Sequence, residues 1–455
     1  MLKKLTALLL CLMLVISISA CNDPGKNASI NGVKLSKYTI VYNAEDVDYS
    51  YRAALYIQKQ VKERIGVSLK LKEDGEKQTQ HEIVVGQTSR DISARLDAQT
   101  KGMEFAILAD DAHIALEGDY FIIAAAAYYF VENYITGTAC ATEVPKETAV
   151  HTPIVEEANN IIYLIGDGMG QYHSRMFDYF DAPEDAVSDG EDIFYGYLFP
   201  AVGLARTDSL SGTTDSAAAG TALACGYKTE NKFIGIDKDQ NELQSLTELA
   251  ASLGKATAVL STDSSIGATP ATFTAHANNR SNSDLIRDSQ NKLTRATGTY
   301  IAGFLDSLKN TELEKKITDT LAMMEKSDKG FFLMYEEGYI DKHCHNMDIS
   351  KAFLSLIRFN QAIGLMMEYT FYHPDTFVLI TADHETGSVI TSSMHGLTCT
   401  TDAHSSADVP VFAYGRNSDA LNGVTVENIQ IPKTLAKLWG VADFGNADPA
   451  FPSLI

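Results

Sequence analysis

Five apolar runs of strand length lie in the last two thirds of the chain, and four of them run into a carboxylate or an imidazole. Residues 161–165 lead to Asp167, residues 255–260 to Thr262 and Asp263, residues 330–335 to Glu336, and residues 376–381 to Asp383 and His384. The fifth run covers residues 409–414. Stretches of helical period around 246–253, 352–369 and 431–439 alternate with these runs. Unbroken apolar strands alternating with helices imply an α/β fold: a doubly wound, mostly parallel sheet with helices on both faces. In such a sheet the ligand crevice lies outside the carboxyl ends of the strands. The reactive side chains therefore cluster where that architecture places a site.

Asp167 is set among Gly166, Gly168 and Gly170, so its carboxylate emerges at a tight turn that the backbone can approach closely. Ser216 opens the alanine-rich stretch 216–224, which favours helix. A serine there is either a helix cap or, beside a divalent cation, a stabilised alkoxide. Asp341 and His345 stand four residues apart, Asp383 and His384 are adjacent at a strand end, and His404 precedes the last strand. Carboxylates and imidazoles grouped in this way suit zinc-like and magnesium-like cations. Cys344 lies between His343 and His345, but on a helix it points away from the face shared by Asp341 and His345. A packed or free thiol is expected there.

In order and wording these motifs resemble the alkaline phosphatase family, from about residue 161 to about 415 and on toward the C-terminus. The resemblance implies a metal-dependent phosphomonoesterase that hydrolyses small-molecule phosphate monoesters through a phosphoserine on Ser216. It implies two Zn(2+) and one Mg(2+). The first zinc takes Asp341, His345 and His404; the second takes Asp167, Asp383, His384 and the Ser216 oxygen. Magnesium takes Asp167, Thr269 and Glu336. Arg280, four residues after His276, matches the family's phosphate clamp, and Lys342 is expected to reach phosphate through water. Glu337 reads as a solvated or supporting acid. Gly267 departs from the pattern, because many relatives carry Asp or His there near the magnesium. Loose magnesium binding is therefore expected, with Gly267→Asp strengthening it. The stretch between His384 and His404 is too short for the large inserted domain of some relatives, so their dimer contacts are not implied. Two rivals stay open: a phosphodiesterase or sulfatase of the same superfamily, and a non-catalytic, glycan-binding surface lipoprotein. No sulfatase maturation motif is found, and Thr269 and Glu336 favour monoesters.

The 455 residues suffice for two domains. With Lys plus Arg 37 against Asp plus Glu 59, the formal net charge is -22, which argues against nucleic acid as a specific partner. Lys3 and Lys4 precede an apolar run over 5–18, and Ser19-Ala20-Cys21 resembles a bacterial lipobox. Residues 1–21 are read as a signal peptide ending at Cys21, the lipid anchor, followed by a tether over 22–36. The implied location is exported and lipid-anchored, on the outer side of a bacterial cytoplasmic membrane or on the outer membrane. Residues 37–143 read as a small α/β domain: strands at 38–42, 67–71 and 82–86, a helix over 53–65, a hairpin around Asp110-Asp111 and a helix over 122–134. Ala54, Leu55, Ile57, Val61 and Ile65 form the expected apolar face of the first helix. This order resembles the accessory domain of many bacterial carbohydrate-active enzymes. A linker over 144–160 and a catalytic domain over 161–455 complete the expected layout. Cys140, Cys225, Cys344 and Cys399 would remain after export, and four cysteines allow three pairings.

Overall fold

The computed structural model describes residues 28–44, 49–96, 100–136, 141–155, 157–180, 193–304, 310–392 and 396–455. Cys21, the expected signal peptide and Cys140 lie outside the described residues. The chain divides into two compact units, Met1–Pro153 and Ile154–Ile455. No described helix is long and apolar enough to cross a membrane.

The first unit is built on a six-stranded sheet in the order Lys70–Glu73, Thr39–Tyr42, Glu82–Val85, His113–Glu117, Phe105–Ala109, Ala149–His151. The first four are parallel, and the hairpin turns at Asp110, whose Oδ1 accepts from the Ala112 and His113 amides at 2.8 and 2.7 Å. Two stretches read as tether and linker join the fold. Ser29–Ile30 pairs with Ala141–Thr142, and Ala149–His151 is an edge strand against Phe105 to Ile107. The helix Tyr49–Ile65 buries Ala53, Ala54, Ile57, Val61 and Ile65, while Leu55 is exposed. A period of 3.6 explains the correction: residue 55 falls outside the stripe through 50, 53/54, 57, 61 and 65.

The second unit carries an eight-stranded sheet in the order Tyr300–Gly303, Ala256–Ser261, Phe331–Glu337, Asn160–Gly166, Thr376–Thr381, Val409–Tyr414, Ala201–Arg206, Thr425–Glu427. The first five are mutually parallel, and Val409–Tyr414 is antiparallel to both its neighbours. Every residue of Asn160–Gly166 and Phe331–Glu337 is buried, which is why these strands read as unbroken apolar runs. Register puts Ser261, Glu336, Ile165 and Thr381 in one row across four strands. Asp263, Asp167 and Asp383 follow just beyond that row. The antiparallel strand starts at this same edge, so His404, five residues before it, arrives there too. Ala201–Arg206 runs the other way and delivers the helix Ser216–Cys225 to the same edge. Opposite strand directions thus bring three separated segments to one place.

Candidate metal centre

Asp341, His345 and His404 form one group and Asp167, Asp383 and His384 another, with candidate ligand atoms inside each group no more than 4.8 Å apart. In the first group Asp341 Oδ1 lies 3.2 Å from His345 Nε2 and 3.5 Å from His404 Nε2, and the two imidazole nitrogens are 3.1 Å apart. Ligands about 2.0–2.1 Å from a tetrahedral zinc are separated by about 3.3 Å, so this triangle has the size of a zinc face. In the second group His384 Nε2 is 3.3 Å from Asp383 Oδ2, 3.6 Å from Asp167 Oδ1 and 3.1 Å from Ser216 Oγ.

On each ring the far nitrogen has its own partner, which aims Nε2 at the group. A carbonyl oxygen only accepts, so His345 Nδ1–H donates to Asp402 O at 2.5 Å and His404 Nδ1–H donates to Thr214 O at 2.8 Å. Thr386 Oγ1 donates to Asp341 Oδ1 at 2.5 Å and lies 3.2 Å from His384 Nδ1, so its oxygen accepts a hydrogen bond from that Nδ1–H. Bonds of this kind on one nitrogen hold the tautomer and aim of metal-binding imidazoles. Thr386 was not singled out from sequence, although it lies in the same strand-end motif as His384.

Ser216 is the first residue of its helix, but the cap is Asp215, whose side chain accepts from the Ala218 amide at 3.0 Å. With capping done by its neighbour, the buried Ser216 hydroxyl is left to face His384. Asp215 also pairs with Arg280, Nη1 to Oδ2 at 3.1 Å, which holds the half-buried guanidinium beside the serine. Lys342 pairs instead with Asp263, Nζ to Oδ1 at 2.5 Å, and lies over the Tyr339 ring.

Thr269 and Glu336 are both buried at the same edge. Ser261 Oγ donates to Glu336 Oε2, and the Thr269 hydroxyl lies beside Glu336 but makes no well-formed hydrogen bond. Burial, then the Asp383, Asp341 and Glu336 charges, hold the Asp167 carboxyl well above the carboxylate range. Burial likewise pushes Glu336 up to about 8, opposed by the Ser261 hydrogen bond and the nearby Thr269 hydroxyl, with Asp263 and Asp383 adding to the rise. Asp341 goes the other way: hydrogen bonds from His345 and His404 outweigh its burial and hold it well below the usual range. Asp341 in turn raises His345 to about 9. A packed group of acids with Asp167 Oδ1, Asp383 Oδ2 and Thr269 Oγ1 buried and unpartnered is costly unless cations satisfy it. The donor set therefore fits divalent metals.

Of two neighbours, Glu337 departs from the solvated reading, while Cys344 is the expected packed thiol. Glu337 is fully buried rather than solvated, gripped by Arg358 through two nitrogens and accepting from Thr262 Oγ1 and the Tyr339 amide, each at 3.0 Å. Covered on both faces, the strand has no solvent side for it. Cys344 is a buried free thiol, 3.2 Å from His173 Nε2 and in contact with Cys399, so it turns away from the ligand face. Cys225 is also free and buried.

The fold and the site together define a doubly wound α/β protein with two candidate metal-binding groups at the carboxyl edge of its sheet. The profile of the family described as alkaline phosphatase matches residues 158–312 and 304–398, more than half of the chain, and the protein belongs to that family. Alkaline phosphatase 3 and alkaline phosphatase 4 of Bacillus subtilis (strain 168) are each 29% identical to it, over 286 and 287 residues. Each match covers 51% of this chain and 62% of the relative, so the chain spans about three fifths of their length. The solved alkaline phosphatase of the Antarctic bacterium TAB5 is 25% identical, with a TM-score of 0.55, covering 62% of this chain and 98% of that one. A variant of that enzyme, described as having magnesium bound in its M3 site, aligns at 25% identity with a TM-score of 0.53, over the same shares of both chains.

Proposed function

We propose that the second unit is a phosphomonoesterase that transfers the phosphoryl group of a monoester to Ser216 and then to water. One observation carries the reading. Ser216 Oγ lies 3.1 Å from His384 Nε2 and joins the Asp167–Asp383–His384 group, while Asp215 does the capping. Asp341, His345 and His404 would hold one zinc ion, and Asp167, Asp383, His384 and Ser216 a second. Asp167, Thr269 and Glu336 would hold magnesium. When bound, these cations supply Lewis acidity and lower the pKa of oxygen nucleophiles near them.

The chain's own groups do the rest. Ser216 Oγ attacks phosphorus, its bond to phosphorus forms as the bond to the leaving alcohol oxygen breaks, and the alcohol departs with a proton. Arg280 grips two non-bridging oxygens through its planar fork and is held in reach by Asp215. Water then attacks the phosphoserine and releases inorganic phosphate, restoring the serine. The helix Ser216–Cys225 directs the positive end of its dipole at the developing charge on the Ser216 oxygen. The reading includes export with lipid on Cys21, and mass spectrometry of the membrane-extracted protein tests that part. Turnover of p-nitrophenyl phosphate, against its bis-ester and p-nitrophenyl sulfate, with and without chelator, tests the reaction. Chelator-sensitive preference for the monoester is expected, and preference for either competitor contradicts it.

A further inference from the structure

Gly267 has no side chain to offer a cation, yet the space beside it is occupied. A Cβ built on Gly267 would lie 3.2 Å from Asp263 Oδ2 and 2.9 Å from the Ser264 carbonyl oxygen. The carboxylate of Asp263 thus reaches, from four residues earlier, the place where a residue-267 side chain would begin. Its position is fixed from three sides. The Asp263 amide donates to Ser261 Oγ at 2.9 Å, and that same hydroxyl donates to Glu336. A Cβ on Gly338 would lie 3.0 Å from Asp263 Cβ and 3.7 Å from Glu336 Cδ, so the glycine lets Asp263 pack closely beside Glu336. Asp263 Oδ1 takes the Lys342 ammonium at 2.5 Å. The fully buried Thr269 hydroxyl, without a hydrogen-bond partner, points independently to a ligand at this spot.

We propose that Asp263 supplies the outer carboxylate of the third cation site, in place of the side chain that Gly267 lacks, and that it also sets the position of Lys342. The inference rests on the proposed function, since it concerns the cation held by Asp167, Thr269 and Glu336. It reverses the expectation drawn from sequence for Gly267. The site is not short of a carboxylate, and Gly267→Asp places a second one against the first, where repulsion and the Ser264 carbonyl oppose it. Gly267→Asp therefore leaves magnesium affinity no higher than in the wild type.

The test is calorimetric titration of magnesium into the zinc-loaded full chain, comparing wild type with Asp263→Asn and Lys342→Met. Bound zinc is assayed by elemental analysis and folding by the thermal midpoint. Outer carboxylates commonly account for about 10- to 100-fold in metal affinity, and Asp263→Asn is expected to lose that much with its zinc retained. Lys342→Met is expected to keep wild-type magnesium affinity, because the carboxylate stays. Unchanged affinity in Asp263→Asn, or an equal loss in Lys342→Met, overturns the assignment. A wild type that takes up zinc and hydrolyses monoesters but binds no magnesium also overturns it, and leaves the zinc and serine reading intact. A wild type that fails to hydrolyse monoesters counts against that reading instead.

Discussion

Gly168 is the residue through which the two cation groups press on each other, and Gly168→Ala measures how tightly. Its φ is +75°, and an added Cβ would lie 2.9 Å from Asp341 Cα, Asp341 Cβ and Thr386 Oγ1. An alanine in left-handed geometry costs roughly 1–2 kcal/mol. Forcing a methyl into a packed site costs a further ~1–3 kcal/mol, for a total of about 2–5 kcal/mol. Two of the three contacts belong to a candidate ligand and the third to the residue that hydrogen-bonds both Asp341 and His384. Relief of the clash must therefore move the first group relative to the second, and a misplacement of about 1 Å costs roughly 100-fold in rate. Urea unfolding of the metal-stripped protein, followed by the fluorescence of the single Trp439 in the second unit, gives the stability term. Steady-state hydrolysis across a zinc titration gives the functional term. An alanine variant within about 0.5 kcal/mol of wild type, the range of an ordinary surface change, and equally active, would refute the reasoning.

Glu82 in the first unit is buried between Lys72 and Arg90, at 2.7 and 2.8 Å, and both hold its carboxyl below the ordinary range against the opposing effect of burial. Glu82→Gln should cost about 3–5 kcal/mol at neutral pH by leaving two buried cations short of a partner. A carboxyl lowered on folding stabilises above its unfolded pKa and loses that contribution as pH falls through the folded value. The gap between wild type and variant in circular-dichroism melts of the first unit should therefore close in acid, and a gap that widens contradicts the sign. Glu337→Gln strips Arg358 of its buried partner and should likewise cost about 3–5 kcal/mol, with the thermal midpoint of the second unit as readout. Chelation of a cation present at about 1000 times its Kd should lower stability by about 4 kcal/mol per site, and an unmoved midpoint would count against the metal reading.

Strands buried on both faces were legible because nothing polar interrupts them, and their carboxyl ends marked the site edge. Ala201–Arg206 and Tyr300–Gly303 were not legible. The first alternates buried and half-buried positions, and the second is short and partly exposed. That His404 meets His345 depends on an antiparallel strand, which spacing alone does not reveal. Asp215 and Ser216 are both good caps, so only the backbone decides which one caps and which one is free. Asp263 stood beside a strand end in the sequence, but its reach toward Gly267 comes from the turn between them. Two adjacent glutamates gave no sign that one meets candidate ligands and the other an arginine, since successive strand residues face opposite sides.

The central claim is that Ser216 carries the phosphoryl group. Wild type and Ser216→Ala should be quenched in acid within a single turnover and their peptides analysed by mass spectrometry. The account predicts a phosphate adduct on Ser216 in the wild type, none in the variant, and a loss of turnover far exceeding any loss of phosphate binding. An adduct on another residue, or an undiminished Ser216→Ala enzyme, would contradict it.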